Sequence, residues 1–231
     1  MNVFNKYFDK ICVITAAEHK NRIEYIKKYF AKENIKFDFL HAVNAKFLHE
    51  SLLDHYYNYI NAHNIKDPMN TSLYRVSATI SHLQALRQLE YSDYDNILIF
   101  EDDVIFEENY QNNLELFMNN IPTDWDVLNL GRNYTYNQTQ VEPYNEFSDK
   151  IKDLYGAHAY AVSKRNVKDF CDYMESPDML FWGPDPILIM KYYRISNKCF
   201  APAKPIVGAL SEHYKDKNFI KTNECFKSFI S

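Results

Sequence analysis

Three consecutive carboxylates, Glu101-Asp102-Asp103, end the most strand-like run of this 231-residue chain, Asn96-Ile97-Leu98-Ile99-Phe100. Adjacent acids repel one another when all are ionised, and a cation among them removes that cost. A divalent metal is the economical use of the triplet; the plain alternative is a solvated acidic loop. The run before it has the continuous apolar character of a parallel strand buried on both faces. In an open α/β sheet ligands bind beyond the carboxyl ends of the strands, which is where this order puts the three acids.

The elements that must position them can be read from hydrophobic spacing. Ile11-Cys12-Val13-Ile14-Thr15 reads as a strand, and Ile23, Ile26 and Phe30 predict an amphipathic helix after it. Phe37-Asp38-Phe39-Leu40 is a second strand, so the chain opens as β-α-β, with parallel strands. Thr15, at a strand end, is placed for a nucleotide contact. Arg22, in the first helical turn, meets a phosphate or base, or else only water. Helical patterns fill Lys46 to Asn61 and Leu73 to Leu89, the second with a stripe of Ile80, Leu83, Leu86 and Leu89. A helix from Asn109 to Met118 and a strand from Trp125 to Gly131 follow. Arg132 to Lys150 is long and polar and predicts a mobile loop that closes over the site. Leu154 to Val162 reads as a strand, Ser163 as the N-cap of a helix from Lys164 to Met174, and Pro184 to Tyr193 as a short helix. No repeat or linker divides the chain, so residues 1–231 are expected to form one α/β domain.

Composition narrows the function. Apolar residues make up 46% and charged residues 25%, which excludes a disordered or fibrous chain. The net charge is −5 and the 26 Lys and Arg are scattered, so the basic stripe of a nucleic-acid partner is missing. With only four Gly, neither GxGxxG nor GxxxxGK[ST] occurs, and a nucleotide must be held by other means. The 19 Tyr and 16 Phe could stack on sugar rings, although A/T-rich codons produce the same bias. Cys12, Cys171, Cys199 and Cys225 have no CxxC or zinc-type spacing and are expected to be free thiols. The N-terminus lacks the apolar run of a signal peptide, and no segment approaches the ~18 apolar residues of a membrane span, so a cytoplasmic protein is expected. In that compartment the N-x-[ST] triplets at Asn70, Asn133 and Asn137 are chance.

Six blocks, in order, resemble glycosyltransferase family 25, which includes bacterial lipopolysaccharide sugar transferases and animal collagen galactosyltransferases. They are Val13-Ile14-Thr15 with Arg22, Ala42-Val43-Asn44-Ala45, Ser81-His82-Leu83, Ile99 to Val104 around the acidic triplet, Trp125 to Gly131, and Gly156 to Ser163. The order holds over residues 10–175. Where the family has Asp and Gly in the second block, this chain has Asn44 and Ala45.

The resemblance implies a GT-A type fold, with a mostly parallel central sheet flanked by helices, a UDP-sugar donor, and Mn²⁺ or Mg²⁺ held by the Glu-x-Asp form of a DxD motif. Asp103 is then the first choice as direct metal ligand, with Glu101 or Asp102 ligating through water or holding donor hydroxyls. His213 is a candidate to complete the metal shell, as a C-terminal His does in many GT-A enzymes. Asn44 joins Thr15 and Arg22 on the donor side, and His82 either contacts the donor or pins its helix to the sheet. Transfer is expected to be inverting, carrying galactose or glucose to a glycan or a hydroxylated protein side chain. Its base is expected at a helix start downstream: Asp185, kept ionised by the helix dipole, with Asp178 as the alternative and Trp182 as a face for the acceptor sugar. Two rival functions share these features. A nucleotidyltransferase would bring a Gly-rich basic loop where this chain has Thr15-Ala16-Ala17-Glu18, and a non-catalytic sugar-nucleotide-binding module could dispense with the carboxylates that this chain keeps.

Overall fold

The computed structural model describes residues 1–62, 69–131, 140–154, 156–176, 179–194 and 196–210. The first half runs α1 (Val3–Tyr7), β1 (Lys10–Thr15), α2 (Lys20–Lys32), β2 (Asp38–His41), α3 (Glu50–Ala62), α4 (Met69–Glu90), β3 (Asn96–Glu101) and β4 (Val104–Phe106). The second half runs α5 (Tyr110–Asn119), β5 (Val127–Asn129), β6 (Gln140–Asn145), β7 (Ser148–Asp153), β8 (Ala159–Ser163), α6 (Val167–Met174), α7 (Pro184–Leu188), β9 (Cys199–Pro202) and β10 (Val207–Ala209).

Eight strands form one sheet in the order β2-β1-β3-β8-β5-β9-β7-β6. β1 is parallel to β2 and β3, and β5 to β9, whereas β8 is antiparallel to both β3 and β5, and β7 to both β9 and β6. Six of the eight strands therefore point one way, with β8 and β7 reversed. β10 and β4 pair separately and antiparallel.

Strand alternation splits the core into two layers. Ile11, Val13, Leu98, Phe100, Leu128 and Ala161 face α1, α2 and α5. Cys12, Ile14, Ile97, Ile99, Val127 and Val162 face α4, α6 and α7. On α4 the predicted stripe holds for Leu83, Leu86 and Leu89, while Ile80 packs half-buried against a third cluster of Tyr56, Val76 and Phe181. Among the described residues no helix is long and apolar enough to cross a membrane.

Two local expectations are corrected. The part of the expected Arg132–Lys150 loop that is described, from Gln140 onward, is a β-hairpin of β6 and β7 added to the sheet. Its polarity reflects an outer strand with most side chains exposed, because among the described residues β6 has no neighbour beyond it; residues 132–139 lie outside the described residues. Ser163 does not cap a helix with its side chain. Its backbone N–H donates to the Asp126 carbonyl at 3.1 Å, which keeps it in β8, and a 3₁₀ turn, Lys164–Asn166, intervenes before α6.

Candidate active site

The carboxyl ends of β1, β2 and β3 meet on one edge of the sheet, and a crevice of about 290 Å³ opens there. Thr15, Ala16, Asn44, Ser81, His82 and Glu101 are among its walls, with Tyr74, Ser77 and Ala78 of α4 on one side. Small residues along this part of α4 leave the space, and Ser81 ties the helix to the β2 exit by accepting from the Val43 N–H at 2.9 Å. Asn44 holds the turn after β2: its side chain accepts from the Lys46 N–H at 2.9 Å and donates to Glu18 at 2.7 Å.

The three acids have three different environments. Asp102 is buried and fully engaged: Thr15 Oγ1 donates to Oδ2 at 2.7 Å, Arg22 to Oδ1 at 2.8 Å, and His19 Nδ1 lies 3.4 Å away. This carboxylate clamps the β1–α2 connection to the end of β3. Glu101 opens on the crevice, with 38% of its side chain exposed, and its Oε1 lies 3.3 Å from His82 Nε2. Burial would lift the Glu101 carboxyl, but the His82 hydrogen bond, with His158 and Arg22 nearby, leaves it below its ordinary value.

Asp103 is the strained member. Burial first, then the charge of Glu101, push its carboxyl up to about 7, against a partial opposing pull from Arg22. Its Oδ1 is buried without a hydrogen-bond partner among the described residues. A carboxylate in that state lacks a positive counter-charge, and a hard divalent ion supplies one. Among the described residues no group of three or more His, Cys, Asp and Glu is arranged around a metal position. Mg²⁺-type sites commonly need only one or two carboxylates, with water and substrate phosphates completing the shell. Glu101 and Asp103 fit that requirement, whereas Asp102 already serves the clamp. His213 lies outside the described residues. The chain approaches it through Leu210, whose N–H donates to the Asp103 carbonyl at 2.7 Å.

The reversed strand β8 starts at this same edge. The His158 carbonyl accepts from the Glu101 N–H at 2.9 Å, and Gly131 packs so closely that a Cβ there would sit 2.6 Å from His158 Nε2. That nitrogen is buried without a partner among the described residues. Asp185, in the first turn of α7, reaches the loop before β8, where its Oδ1 accepts the N–H groups of Gly156 and Ala157 at 2.7 and 2.8 Å. At Asp185 burial works against the pull of the helix start. α7 has only five residues, and burial raises the carboxyl above its ordinary range despite those two N–H groups, with Glu101 adding to the rise. Asp178 lies outside the described residues, and Trp182 is 46% exposed beside α7.

Thr15, Arg22, His82, Glu101 and Asp102 are thus gathered by direct contacts, with Asn44 on the crevice wall. Residue-type reasoning missed His19, which approaches Asp102, and the pairing of Asp185 with the Gly156–Ala157 backbone. The first had a signal in its place on the β1–α2 connection. The second had none, because the pairing joins residues 28 and 29 positions apart.

A crevice at the carboxyl ends of parallel strands, with Glu101 and Asp102 among its walls, defines the class: a GT-A-like fold. A putative glucose-1-phosphate thymidylyltransferase from Bacillus anthracis, solved with sucrose, shares that fold at TM-score 0.51 and 8% identity, over 94% of this chain and 98% of the other. A glycosyltransferase involved in glycosylating the major capsid of PBCV-1 aligns at TM-score 0.48 and 9% identity, over 93% of this chain and all of that one. Residues 8–181 match glycosyltransferase family 25 (LPS biosynthesis protein), and the chain belongs to that family. Procollagen galactosyltransferase 2 of Homo sapiens is 25% identical to it over 222 residues, and that of Mus musculus 22%. These alignments cover 79% of this chain but 35% of either relative, so the chain spans about a third of their length.

Proposed function

We propose that this glycosyltransferase domain moves a hexose, galactose or glucose, from a UDP-sugar to a glycan or hydroxylated protein acceptor, with inversion and with a divalent cation. The observation that carries this reading is the buried Oδ1 of Asp103, unpartnered among the described residues and two positions after Glu101, which opens on the crevice. The name of the galactosyltransferase relatives supports galactose as the sugar.

In this reading Thr15, Asn44 and the small face of α4 receive the nucleoside, and Arg22, held by Asp102, faces the phosphates. Glu101 and Asp103 would hold Mn²⁺ or Mg²⁺, with His213 as a further ligand. The bound ion supplies charge neutralisation for the departing β-phosphate. Asp185 takes the proton of the acceptor hydroxyl. Two backbone N–H groups hold its Oδ1 in place, and its raised pKa makes the ionised form a stronger proton acceptor. Trp182 offers the acceptor sugar an exposed ring.

The test is a panel of nucleotide sugars incubated with the chain, scored for release of the nucleoside diphosphate with Mn²⁺ and with EDTA. Release from UDP-galactose or UDP-glucose that stops in EDTA is expected. Full activity in excess EDTA, or turnover confined to donors with another base, would sink the reading.

A further inference from the structure

Tyr160 is 1% exposed, so its hydroxyl must find its hydrogen bonds inside the protein. Among the described residues that hydroxyl has one partner, His82 Nδ1, at 3.0 Å. The two rings lie nearly parallel, 5.7 Å apart and inclined by 17°. A buried phenol with one partner donates its proton there, and Nδ1 must then be an acceptor with no proton of its own. The imidazole proton is left on Nε2, which lies 3.3 Å from Glu101 Oε1. A carboxylate oxygen accepts, so every atom in the line has the partner it needs.

We propose that Tyr160 is a positioning residue of the donor site: through His82 it fixes the orientation of the Glu101 carboxylate, leaving Oε2 to the crevice. The relay joins β8, α4 and β3, so three separate parts of the fold converge on one carboxylate. This role rests on the reading of Glu101 as part of a cation and donor site. The proton placement on the ring does not.

Two measurements on the full chain test it. Nitrogen NMR of the ¹⁵N-histidine protein without metal, with the His82 signals assigned from His82→Gln, should show a neutral ring protonated on Nε2 and a hydrogen-bonded Nδ1. In Tyr160→Phe the Nδ1 signal should move to that of an unbonded acceptor. Calorimetry with UDP should show about tenfold weaker binding in Mn²⁺ for Tyr160→Phe, and a change within about twofold in EDTA, the cost expected when a partner behind a metal ligand is lost. His82→Gln should give the same metal-linked loss, and the double variant should be no worse than either single one, because all three break one line. Should Tyr160→Phe fail to fold, the parent's ring spectrum and the metal-linked loss in His82→Gln decide the matter.

A ring protonated on Nδ1, or on both nitrogens, overturns the relay. Unchanged Mn²⁺-linked affinity in the variants, or additive losses, overturns the positioning role. If the parent itself binds UDP no better with Mn²⁺, the donor reading falls and the positioning role with it, while the spectra still decide where the proton sits.

Discussion

Replacing Asp103 by Asn should stabilise the metal-free protein, an uncommon direction, since most substitutions destabilise. The folded carboxyl sits at about 7 against an ordinary 3.8. Between those values the folded chain keeps a proton that the unfolded chain has released. Stability therefore falls as pH rises through that window, and the loss is complete above it. The gap of roughly three pKa units sets a ceiling of ~4 kcal/mol, which solvent reaching the half-buried side chain reduces to ~1–3 kcal/mol. Asn has nearly the same shape and no charge to bury. In EDTA at about pH 8 Asp103→Asn should gain that ~1–3 kcal/mol over the parent, and near pH 4 the gain should vanish. Urea unfolding at both pH values, with matching slopes, measures it. Saturating Mn²⁺ should close the gap at the higher pH by stabilising the parent alone. No gain at pH 8, or an equal gain at both pH values, would refute the account of Asp103 as a carboxylate short of positive charge.

Gly131→Ala should cost ~1–3 kcal/mol in urea unfolding, because its Cβ would meet the His158 ring at 2.6 and 2.8 Å and the Ala159 nitrogen at 3.0 Å. An unchanged midpoint would mean that the imidazole swings aside freely. Arg87→Ala removes the ion pairs that tie α4 to Asp172 and Glu175 of the α6 region, with Glu90 alongside. The partners are about half exposed, so the loss should be ~0.5–1 kcal/mol at low salt and fade in ~1 M salt. Cys12, Cys171 and Cys199 are buried free thiols whose pKa burial pushes up to about 12, so none of the three should react with a disulfide reagent in the folded chain at pH 8. Rapid labelling of any of them, located by peptide mass, would contradict their placement.

The strands that bear the site were legible because they obey one rule: a central strand covered by helices on both faces is apolar throughout, and Ile97 to Phe100 are all fully buried. The acids after them were legible because buried charge is costly enough to signal purpose. What sequence could not divide was labour among neighbours. Asp102 and Asp103 are adjacent and chemically identical, yet one is consumed by Thr15 and Arg22 and the other is left with an oxygen unpartnered among the described residues. The difference lies in which way each side chain leaves the turn, and that depends on a strand residue 87 positions earlier and a helix residue 80 positions earlier. β6 was misread for the opposite reason. An outer strand has little to bury, so its composition is that of a loop.

The reversed strand β8 carries a consequence for how the molecule comes into being. Glu101 completes β3, but the partner on one flank of β3 is made only when residues 159–163 emerge from the ribosome. At ordinary elongation speeds of 5–20 residues per second that interval is about 3–12 s, during which an apolar strand has a bare hydrogen-bonding edge. β5 waits for the same five residues on its own flank. A fragment ending before Ala159 would therefore contain the acidic triplet and most of the crevice wall, yet display the apolar edge of β3 to any other copy of itself. The shortest piece able to keep the crevice in solution should reach at least to Ser163, so truncations meant to isolate the half that bears the crevice should be placed beyond that residue.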